Sequence, residues 1–303
     1  MPPDATGGPA GHGFRLSSPT TVRELLGREG LYPRHSMGQN FLVDANVLRI
    51  ITDASGLSPF DSVVEVGAGL GALTQALVEK SGKVYAVESD PNLVRILTRE
   101  LSYASNLTIF QGDAMSFDLS QLWEGKPPEV VKMVSNLPYQ IAASLIVDWL
   151  REYEWLGLYI VMLQREVADR ISAVPGGKDY SSATVKIQYR AAASRVARVS
   201  RNSFYPKPRV DSTIIKLERR RPADRGITEA RDVQLFDRVV SAAFHQRRKK
   251  LVNAVTSAMP TADRDAMVEA LKGFGRDETA RAEQLSVDEF ARLTNAITPV
   301  DVP

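Results

Sequence analysis

The sequence lacks cysteine entirely, with none among its 303 residues. Disulfide bonds and thiolate metal sites are therefore excluded. It also lacks any apolar run close to the roughly 20 residues that a membrane helix needs. Its first residues have no apolar segment of the kind found in secretory signals. These absences argue against a disulfide-stabilised secreted domain and against a membrane protein, and we expect a cytoplasmic protein.

Net charge is also nearly absent, at +2, so the overall balance points to no particular partner. The charge is unevenly distributed, however, because residues 195–250 contain 16 Lys and Arg against six Asp and Glu. Such a cluster can be an ordinary solvated face or a surface that binds phosphate groups. The three histidines, His12, His35 and His245, do not have metal-ligand spacing, and we expect no metal site.

The chain does contain a regular alternation of short apolar runs and segments with helical periodicity. This alternation predicts an α/β fold with a mostly parallel sheet covered on both faces. The last two runs are expected to form an antiparallel hairpin at the edge of the sheet. The runs lie at residues 62–66, 83–87, 107–110, 130–134, 156–163, 196–199 and 212–217.

Three parts are predicted along the chain. Residues 1–20, rich in Gly, Pro and Ser, are expected to form a disordered tail. Residues 21–221 are expected to form the α/β domain, and residues 222–303 a small all-helical domain. Within the latter, residues 235–255 are predicted as one helix that continues through the basic run at 246–250. A length of 303 residues suits one large domain with a smaller appendage.

Three glycines follow the first apolar run at the predicted junction of a strand and a helix. At Gly67, Gly69 and Gly71 the missing Cβ would let the backbone approach a ligand closely. A tight turn without any ligand has the same pattern, so the glycines alone indicate little.

Two acidic residues favour a nucleoside site. Glu88 ends the second predicted strand, 21 residues after Gly67, where a carboxylate can accept hydrogen bonds from both ribose hydroxyls. Asp113 follows the third predicted strand, where it can accept one from an adenine amino group. The alternative for Glu88 is an ordinary surface glutamate. The order of these features predicts a nucleoside site at the carboxyl ends of the strands, but it does not separate NAD from S-adenosylmethionine.

The fourth predicted strand is followed by Asn136-Leu137-Pro138-Tyr139, expected on a surface loop. This run resembles a signature of methyltransferases that modify exocyclic amino nitrogens. An adenine amino nitrogen is a poor nucleophile because its lone pair is delocalised into the ring. The Asn136 side chain and a nearby backbone carbonyl, accepting its two hydrogens, can localise that lone pair. Pro138 stiffens the turn, and an extruded base can stack on Tyr139. A proline turn without chemistry is the alternative.

Together these motifs resemble the bacterial KsgA (RsmA) family of ribosomal RNA adenine dimethyltransferases. The resemblance runs from about residue 34 to residue 253, and the later helices fit more loosely. Ala68 and Gln140 differ from the family's usual Pro and Asn, and neither position carries a group assigned to the chemistry. Three further motifs contribute: residues 35–42 (HSMGQNFL), 204–212 (FYPKPRVDS) and 244–249 (FHQRRK).

The resemblance implies a Rossmann-like class I S-adenosylmethionine methyltransferase domain with a helical C-terminal RNA-binding domain. It implies dimethylation of the N6 amino group of adenines, two adjacent ones by expectation, in a 3′-terminal hairpin loop of small-subunit (16S) rRNA. The partner would be the immature small subunit, and a monomer is expected. Three alternatives remain: a large-subunit rRNA methyltransferase conferring antibiotic resistance, a non-catalytic assembly or RNA-binding factor, and an NAD oxidoreductase. The last is disfavoured because no acid or base for hydride transfer is evident.

The motifs and the resemblance together assign residues to three roles. Phe204 could simply be a core residue, but the proline-rich sequence around it favours a rigid loop over a buried strand. The resemblance implies that Phe204 stacks on the base opposite Tyr139. For the basic residues Arg247, Arg248 and Lys249, the alternative to RNA binding is an exposed turn without a ligand. The cofactor site is expected to comprise Asn40, Leu42, Gly67, Gly69, Glu88, Asp113 and Asn136. Catalysis is assigned to Asn136, Leu137, Tyr139 and Phe204, and RNA binding to Arg247, Arg248 and Lys249.

Overall fold

A computed structural model describes residues 15–34, 38–128, 130–246 and 248–297 of the chain. The helices of this part are α1 (Pro19–Arg28), α2 (Ala45–Ser55), α3 (Ala72–Val78), α4 (Pro91–Glu100), α5 (Ala142–Glu152), α6 (Arg165–Ile171), α7 (Ser182–Arg190), α8 (Val233–His245), α9 (Leu251–Ala258), α10 (Arg264–Gly273) and α11 (Val287–Ile297). The strands are β1 (Phe41–Leu42), β2 (Ser62–Val66), β3 (Lys83–Glu88), β4 (Leu107–Gln111), β5 (Val131–Asn136), β6 (Leu156–Gln164), β7 (Ala191–Val199), β8 (Phe204–Tyr205) and β9 (Ser212–Arg219).

Seven of these strands form one sheet in the order β4-β3-β2-β5-β6-β9-β7. The first five are parallel to one another, whereas β9 is antiparallel to both neighbours, β6 and β7. The predicted parallel sheet with an antiparallel pair at its edge is therefore confirmed. Outside this sheet, β1 and β8 form a separate antiparallel pair.

The sheet separates two apolar clusters, one on each face. Along β6, Ile160 and Met162 pack into the first cluster, while the alternating Tyr159, Val161 and Leu163 pack into the second. Successive side chains of a strand point to opposite faces, so a strand buried on both faces must be apolar throughout. This explains why the strands appear in the sequence as continuous apolar runs.

Residues 15–20, predicted to belong to a disordered tail, have regular structure. Residues Arg15–Ser17 form a 3-10 turn, and α1 begins at Pro19 after a Ser18 N-cap. Leu16 is buried in the first apolar cluster, and its amide donates to the Gln75 side chain. The predicted disordered tail is therefore wrong for residues 15–20, because one apolar side chain anchors them to the core. Residues 1–14 of that prediction lie outside the described residues.

The four C-terminal helices, α8 to α11, pack around a third apolar cluster that also includes residues of α7. Val185 and Tyr189 of α7 belong to this cluster, whereas Ile187 of the same helix packs under the sheet. In addition, Arg190 of α7 forms a buried ion pair with Asp237 of α8 at 2.7 Å. The helical architecture is as expected, but the shared helix joins the two cores, and the boundary at 221/222 stays a prediction.

The helix predicted over residues 235–255 is two helices. Gln246 leaves the helical region with φ −131° and ψ 84°, so α8 ends at His245, and α9 begins at Leu251. At the start of α9, the Leu251 amide donates to the Ala280 carbonyl at 2.8 Å instead of to a carbonyl one helical turn earlier. The prediction that the basic run continues the helix was therefore wrong.

Within the described ranges, no helix has the length and apolar character needed to cross a membrane. The same residues contain no group of three or more His, Asp or Glu side chains that could hold a metal ion.

Candidate active site

The sheet opens between β2 and β5, where its strand order reverses. Their pairing ends at Val64 and Met133. Two residues later, the Val66 amide donates to the Ser135 hydroxyl at 2.9 Å instead of to a backbone carbonyl. The buried serine lets the strands separate while the amide stays satisfied. Open α/β sheets bind ligands at such a reversal, beyond the carboxyl ends of the strands.

A cleft with about 980 Å³ of empty space, open solvent included, lies at this point. Small-molecule sites occur preferentially in clefts at such reversals of strand order. The structure brings nine of the predicted site residues to its wall. They are Asn40, Leu42, Gly67, Gly69, Glu88, Asp113, Asn136, Leu137 and Tyr139.

The glycine turn and the proline turn touch each other across the cleft. Gly67 has a φ of +72°, which side chains rarely adopt, and a Cβ there would lie 3.2 Å from Cγ and Cδ of Pro138. The Gly67 amide donates to the Val87 carbonyl at 2.8 Å, which continues the ladder between β2 and β3. Glycine is therefore required here both by conformation and by the closeness of the second turn.

The Glu88 carboxylate is buried at the end of β3 and is held by two backbone amides. One oxygen accepts from Gly69 at 2.9 Å and the other from Asp90 at 2.9 Å. These bonds fix the carboxylate and tie the glycine turn to β3. The oxygen that accepts from Gly69 has a second lone pair free for a ligand, and the other can accept from a ligand that displaces its long, 3.5 Å contact with the Ser89 hydroxyl. Asp113 is exposed, and one of its oxygens accepts from the Met115 amide.

Glu65 is a site residue to which the sequence motifs assigned no role. It is 1% exposed, lines the cleft, and has one oxygen, Oε2, without a hydrogen-bond partner among the described residues. Burial raises the pKa of Glu65 to about 8; the Thr74 hydroxyl acts against this rise and the Glu88 charge adds to it. The cleft therefore holds a neutral carboxylic acid at neutral pH.

This protonation predicts a pH-dependent stability difference between the protein and its Glu65→Gln variant. Glu65 stays protonated in the folded protein up to about pH 8 but ionises in the unfolded chain above its ordinary value of 4.5. Its contribution to stability is therefore complete below pH 4.5 and decreases as the pH rises towards 8. Glutamine is neutral throughout.

We therefore expect the unfolding temperature of Glu65→Gln, relative to the natural protein, to rise between pH 5 and pH 8. The unfolding temperature shifts by about 2–4 °C for each kcal/mol by which the free energies of unfolding of the two proteins differ. Thermal unfolding without cofactor at pH 5, 6.5 and 8 measures it. Parallel curves for the two proteins would show that Glu65 is already ionised in the fold.

The turn after β5 differs from its prediction in two respects. Asn136 is the last residue of β5, so it is half-buried on a strand end and not on a surface loop. The Leu137 side chain is buried in the second apolar cluster, and its amide donates to the Met162 carbonyl at 3.2 Å. A role of Leu137 in the chemistry can therefore rest only on its backbone.

Phe204 is the predicted catalytic residue that the structure does not bring to the cleft wall. It forms β8 with Tyr205 and pairs with Leu42, and its side chain is 4% exposed in the first apolar cluster. The expectation of a rigid loop was wrong, because the pairing with β1 buries this segment despite its prolines. Stacking of Phe204 on a base stays a prediction, and it requires the ring to move out of the core.

The segment before β1 is fastened to the entrance of α4. The side-chain nitrogen of Gln39 donates to the Asp90 carboxylate at 3.1 Å, and the side-chain oxygen of Gln39 accepts from the Arg34 backbone amide at 2.8 Å. The Asn40 side chain donates to the Gly38 carbonyl at 2.9 Å. Asp90 also caps α4, so it links this segment to the end of β3. Residues 35–37 of the predicted motif lie outside the described residues.

The predicted RNA-binding residues lie on the turn between α8 and α9. Arg248 and Lys249 are exposed there, and the Lys249 amide donates to the Gln246 carbonyl at 2.9 Å. Arg247 lies outside the described residues. The exposed turn is compatible with both interpretations, phosphate contact and ordinary solvation.

The sheet order and the cleft define the class of the protein. A mostly parallel sheet with one antiparallel strand inserted next to its edge and helices on its faces is the fold of class I methyltransferases. The sequence model of a family described as ribosomal RNA adenine dimethylase matches residues 31–298. The chain belongs to this family.

Individual relatives agree with this assignment. Proteins named ribosomal RNA small subunit methyltransferase A are 39% identical over 289 residues in Moorella thermoacetica and 40% identical over 288 in Pelotomaculum thermopropionicum. Each alignment covers 93% of this chain, and 98% and 97% of the respective relative. The predicted family resemblance is confirmed.

Two solved structures share the fold. A dimethyladenosine transferase from Plasmodium falciparum has a TM-score of 0.69 at 23% identity, covering 84% of this chain and 95% of its own. The 23S rRNA methyltransferase ErmE has a TM-score of 0.63 at 27% identity, covering 85% and 99%. These likenesses confirm the predicted fold class.

Proposed function

We propose that this protein transfers two methyl groups from S-adenosylmethionine to the N6 amino group of adenine in small-subunit ribosomal RNA. The observation that carries the proposal is that Glu88, Asp113 and the turn at Asn136 line one cleft, at the carboxyl ends of the strands. The family and the names of the curated relatives support the same reaction. We expect the protein to act in the cytoplasm, as a monomer, on immature subunits.

The residues at the cleft wall fit S-adenosylmethionine, which supplies an electrophilic methyl group. Because position 67 is a glycine, the glycine turn packs directly against Pro138, and both turns line the same cleft. The held carboxylate of Glu88 makes this wall acidic, and the neutral Glu65 adds a polar oxygen that has no hydrogen-bond partner among the described residues. An acidic wall suits a ligand that carries positive charge and hydroxyl donors and disfavours one with phosphates.

Each predicted cofactor residue has a definite task under this proposal. The carboxylate oxygens of Glu88 accept the ribose hydroxyls, and Asp113 accepts the adenine amino group of the cofactor. Asn40 and Leu42 cover the ligand from the side of β1, where both line the cleft. None of these tasks needs movement of the sheet.

The target adenine reacts at Asn136. The Asn136 side-chain oxygen and a neighbouring backbone carbonyl accept the two amino hydrogens of the adenine. The lone pair of the amino nitrogen then becomes available to the methyl carbon. The new nitrogen–carbon bond forms as the sulfur–carbon bond breaks, and the nitrogen then loses one hydrogen as a proton. Tyr139 provides the ring on which the base stacks. Positioning and electrostatics supply most of the rate enhancement, because the alkylated nitrogen is itself acidic.

The proposal is tested with labelled S-adenosylmethionine and immature small subunits, followed by mapping of the methylated bases. We expect dimethyladenine in the small-subunit RNA. Large-subunit RNA serves as the control, since ErmE, a 23S rRNA methyltransferase, shares the fold. Label confined to large-subunit RNA, or a product that stops at monomethyladenine, would contradict the proposal.

RNA binding is expected to be electrostatic and to involve the basic turn. Neutralising Arg247, Arg248 and Lys249 together should weaken subunit binding and reduce the slope of log affinity against log salt by about 2–3. Cofactor affinity should not change. A matched variant removes three exposed charges elsewhere, at Arg28, Arg49 and Lys126. Equal slopes in both variants and the natural protein would place the RNA surface elsewhere.

A further inference from the structure

A buried hydroxyl on the antiparallel strand reaches the aromatic ring at the cleft. Ser212 is the first residue of β9 and is 1% exposed. Its Oγ lies 3.1 Å from the phenol oxygen of Tyr139, 73 residues earlier in the chain. The contact joins the turn after β5 to a strand two positions further along the sheet.

Ser212 is a fixed point of the fold. It pairs with Gln164 at the carboxyl end of β6 and with Val199 at the end of β7. The preceding residue, Asp211, accepts the Arg165 amide with its carbonyl and the Arg201 amide with its carboxylate, each at 3.0 Å. The hydroxyl is therefore presented from a backbone that is held on both sides.

Tyr139 is less constrained where it leaves the chain. It lies between the end of β5 and the start of α5 on a turn closed by a 3.3 Å hydrogen bond from the Ile141 amide to the Pro138 carbonyl. Burial raises the pKa of the Tyr139 phenol, so the hydroxyl stays protonated. A partly buried hydroxyl is unfavourable unless it is hydrogen-bonded. A phenylalanine would offer the same stacking face, so the hydroxyl matters through the contact with Ser212.

We propose that Ser212 is a positioning residue for methyl transfer. Its hydroxyl holds the far end of the Tyr139 ring, so that the ring keeps the orientation in which a base can stack beside Asn136. This inference rests on the proposed function. The requirement is stricter for the second transfer, because the monomethyl base has only one amino hydrogen left to orient it and depends more on the stacking surface.

We call the hydrogen bond between the Ser212 and Tyr139 hydroxyls the tether. Four variants test it: Ser212→Ala, Ser212→Thr, Tyr139→Phe, and the double variant Ser212→Ala/Tyr139→Phe. Removing either hydroxyl should lower kcat of the second transfer about three- to tenfold, the contribution of one neutral hydrogen bond. Monomethyladenine should accumulate, while KM for the RNA stays unchanged. The double variant should be no slower than either single variant. Ser212→Thr, which keeps the hydroxyl and suits a strand, should restore the natural product ratio.

Other outcomes would overturn the tether. Additive effects in the double variant would place the action of Ser212 elsewhere. Natural kinetics in Ser212→Ala would show that the contact does nothing. A loss of both transfers together with a lower unfolding temperature in both Ser212 variants would make the residue merely structural.

A second measurement does not depend on the proposed reaction. In protein with labelled tyrosine rings, the nuclear magnetic resonance signal of Tyr139, identified by its absence in Tyr139→Phe, reports ring mobility. Ser212→Ala should make that ring more mobile. An unchanged ring would refute the tether even if adenine is dimethylated. A mobile ring in a protein that methylates no adenine would refute the function alone.

Discussion

Asn136→Ala is expected to remain folded and to add neither methyl group. The side chain lies at the end of β5, half-buried at the cleft and outside the apolar clusters, so its removal leaves no cavity in the core. It does remove the side-chain acceptor proposed to localise the amino lone pair. Losing one preorganised group of this kind typically lowers kcat by about 10²–10³-fold.

Mass spectrometry of the modified RNA measures mono- and dimethyladenine separately. The unfolding temperature of Asn136→Ala should match that of the natural protein. Tyr139→Ala is the matched comparison on the same turn, and it should lose only the stacking contribution of about 1–3 kcal/mol. Robust dimethylation by Asn136→Ala would overturn the proposed mechanism.

Glu88→Ala should bind S-adenosylmethionine at least about tenfold more weakly. Hydrogen bonds to a charged group contribute roughly 1.5–3 kcal/mol, and the substitution removes those to the ribose. It also leaves the amides of Gly69 and Asp90 without the acceptor that holds them in the structure. The glycine turn and the N-terminus of α4 then lose their common support, which adds to the loss.

Titration calorimetry measures this affinity directly. Asp113→Ala is a useful comparison, because Asp113 is exposed and its side chain accepts one local hydrogen bond, from the Met115 amide. Its substitution should cost less than that of Glu88. Unchanged affinity in Glu88→Ala would remove this residue from the cofactor site.

The sheet and the position of the cleft could be predicted from sequence because both follow from local patterns. Each buried strand is a continuous apolar run, and a parallel strand directs the residues that follow it to the same edge. Gly67, Glu88, Asp113 and Asn136 follow four different strands or end them, and they line one cleft. Their spacing along the chain was sufficient to predict that they would meet.

Contacts between distant residues could not be predicted in this way. Ser135 bonds to Val66, which is 69 positions away in the chain, and Ser212 bonds to Tyr139, which is 73 positions away. A serine beside a motif does not reveal such a partner. Phe204 was predicted on a loop because of its prolines, but two backbone pairs with β1 bury it. The start of α9 at Leu251 likewise involves a distant partner, because the Leu251 amide donates to the Ala280 carbonyl. In each case tertiary structure overrides the local signal.

The ion pair between Arg190 and Asp237 affects how far the C-terminal helices can move relative to the sheet. Both side chains are nearly excluded from solvent, at 7% and 13% exposure, and the helix that carries Arg190 is shared by two cores. Separating the helices from the sheet would expose this pair and split the shared helix from one of its cores. The ion pair and the shared helix therefore oppose a movement of the C-terminal helices relative to the sheet. In the proposed reaction, the basic turn would then stay at a nearly constant distance from the cleft, and an RNA that contacts both would have to match that distance.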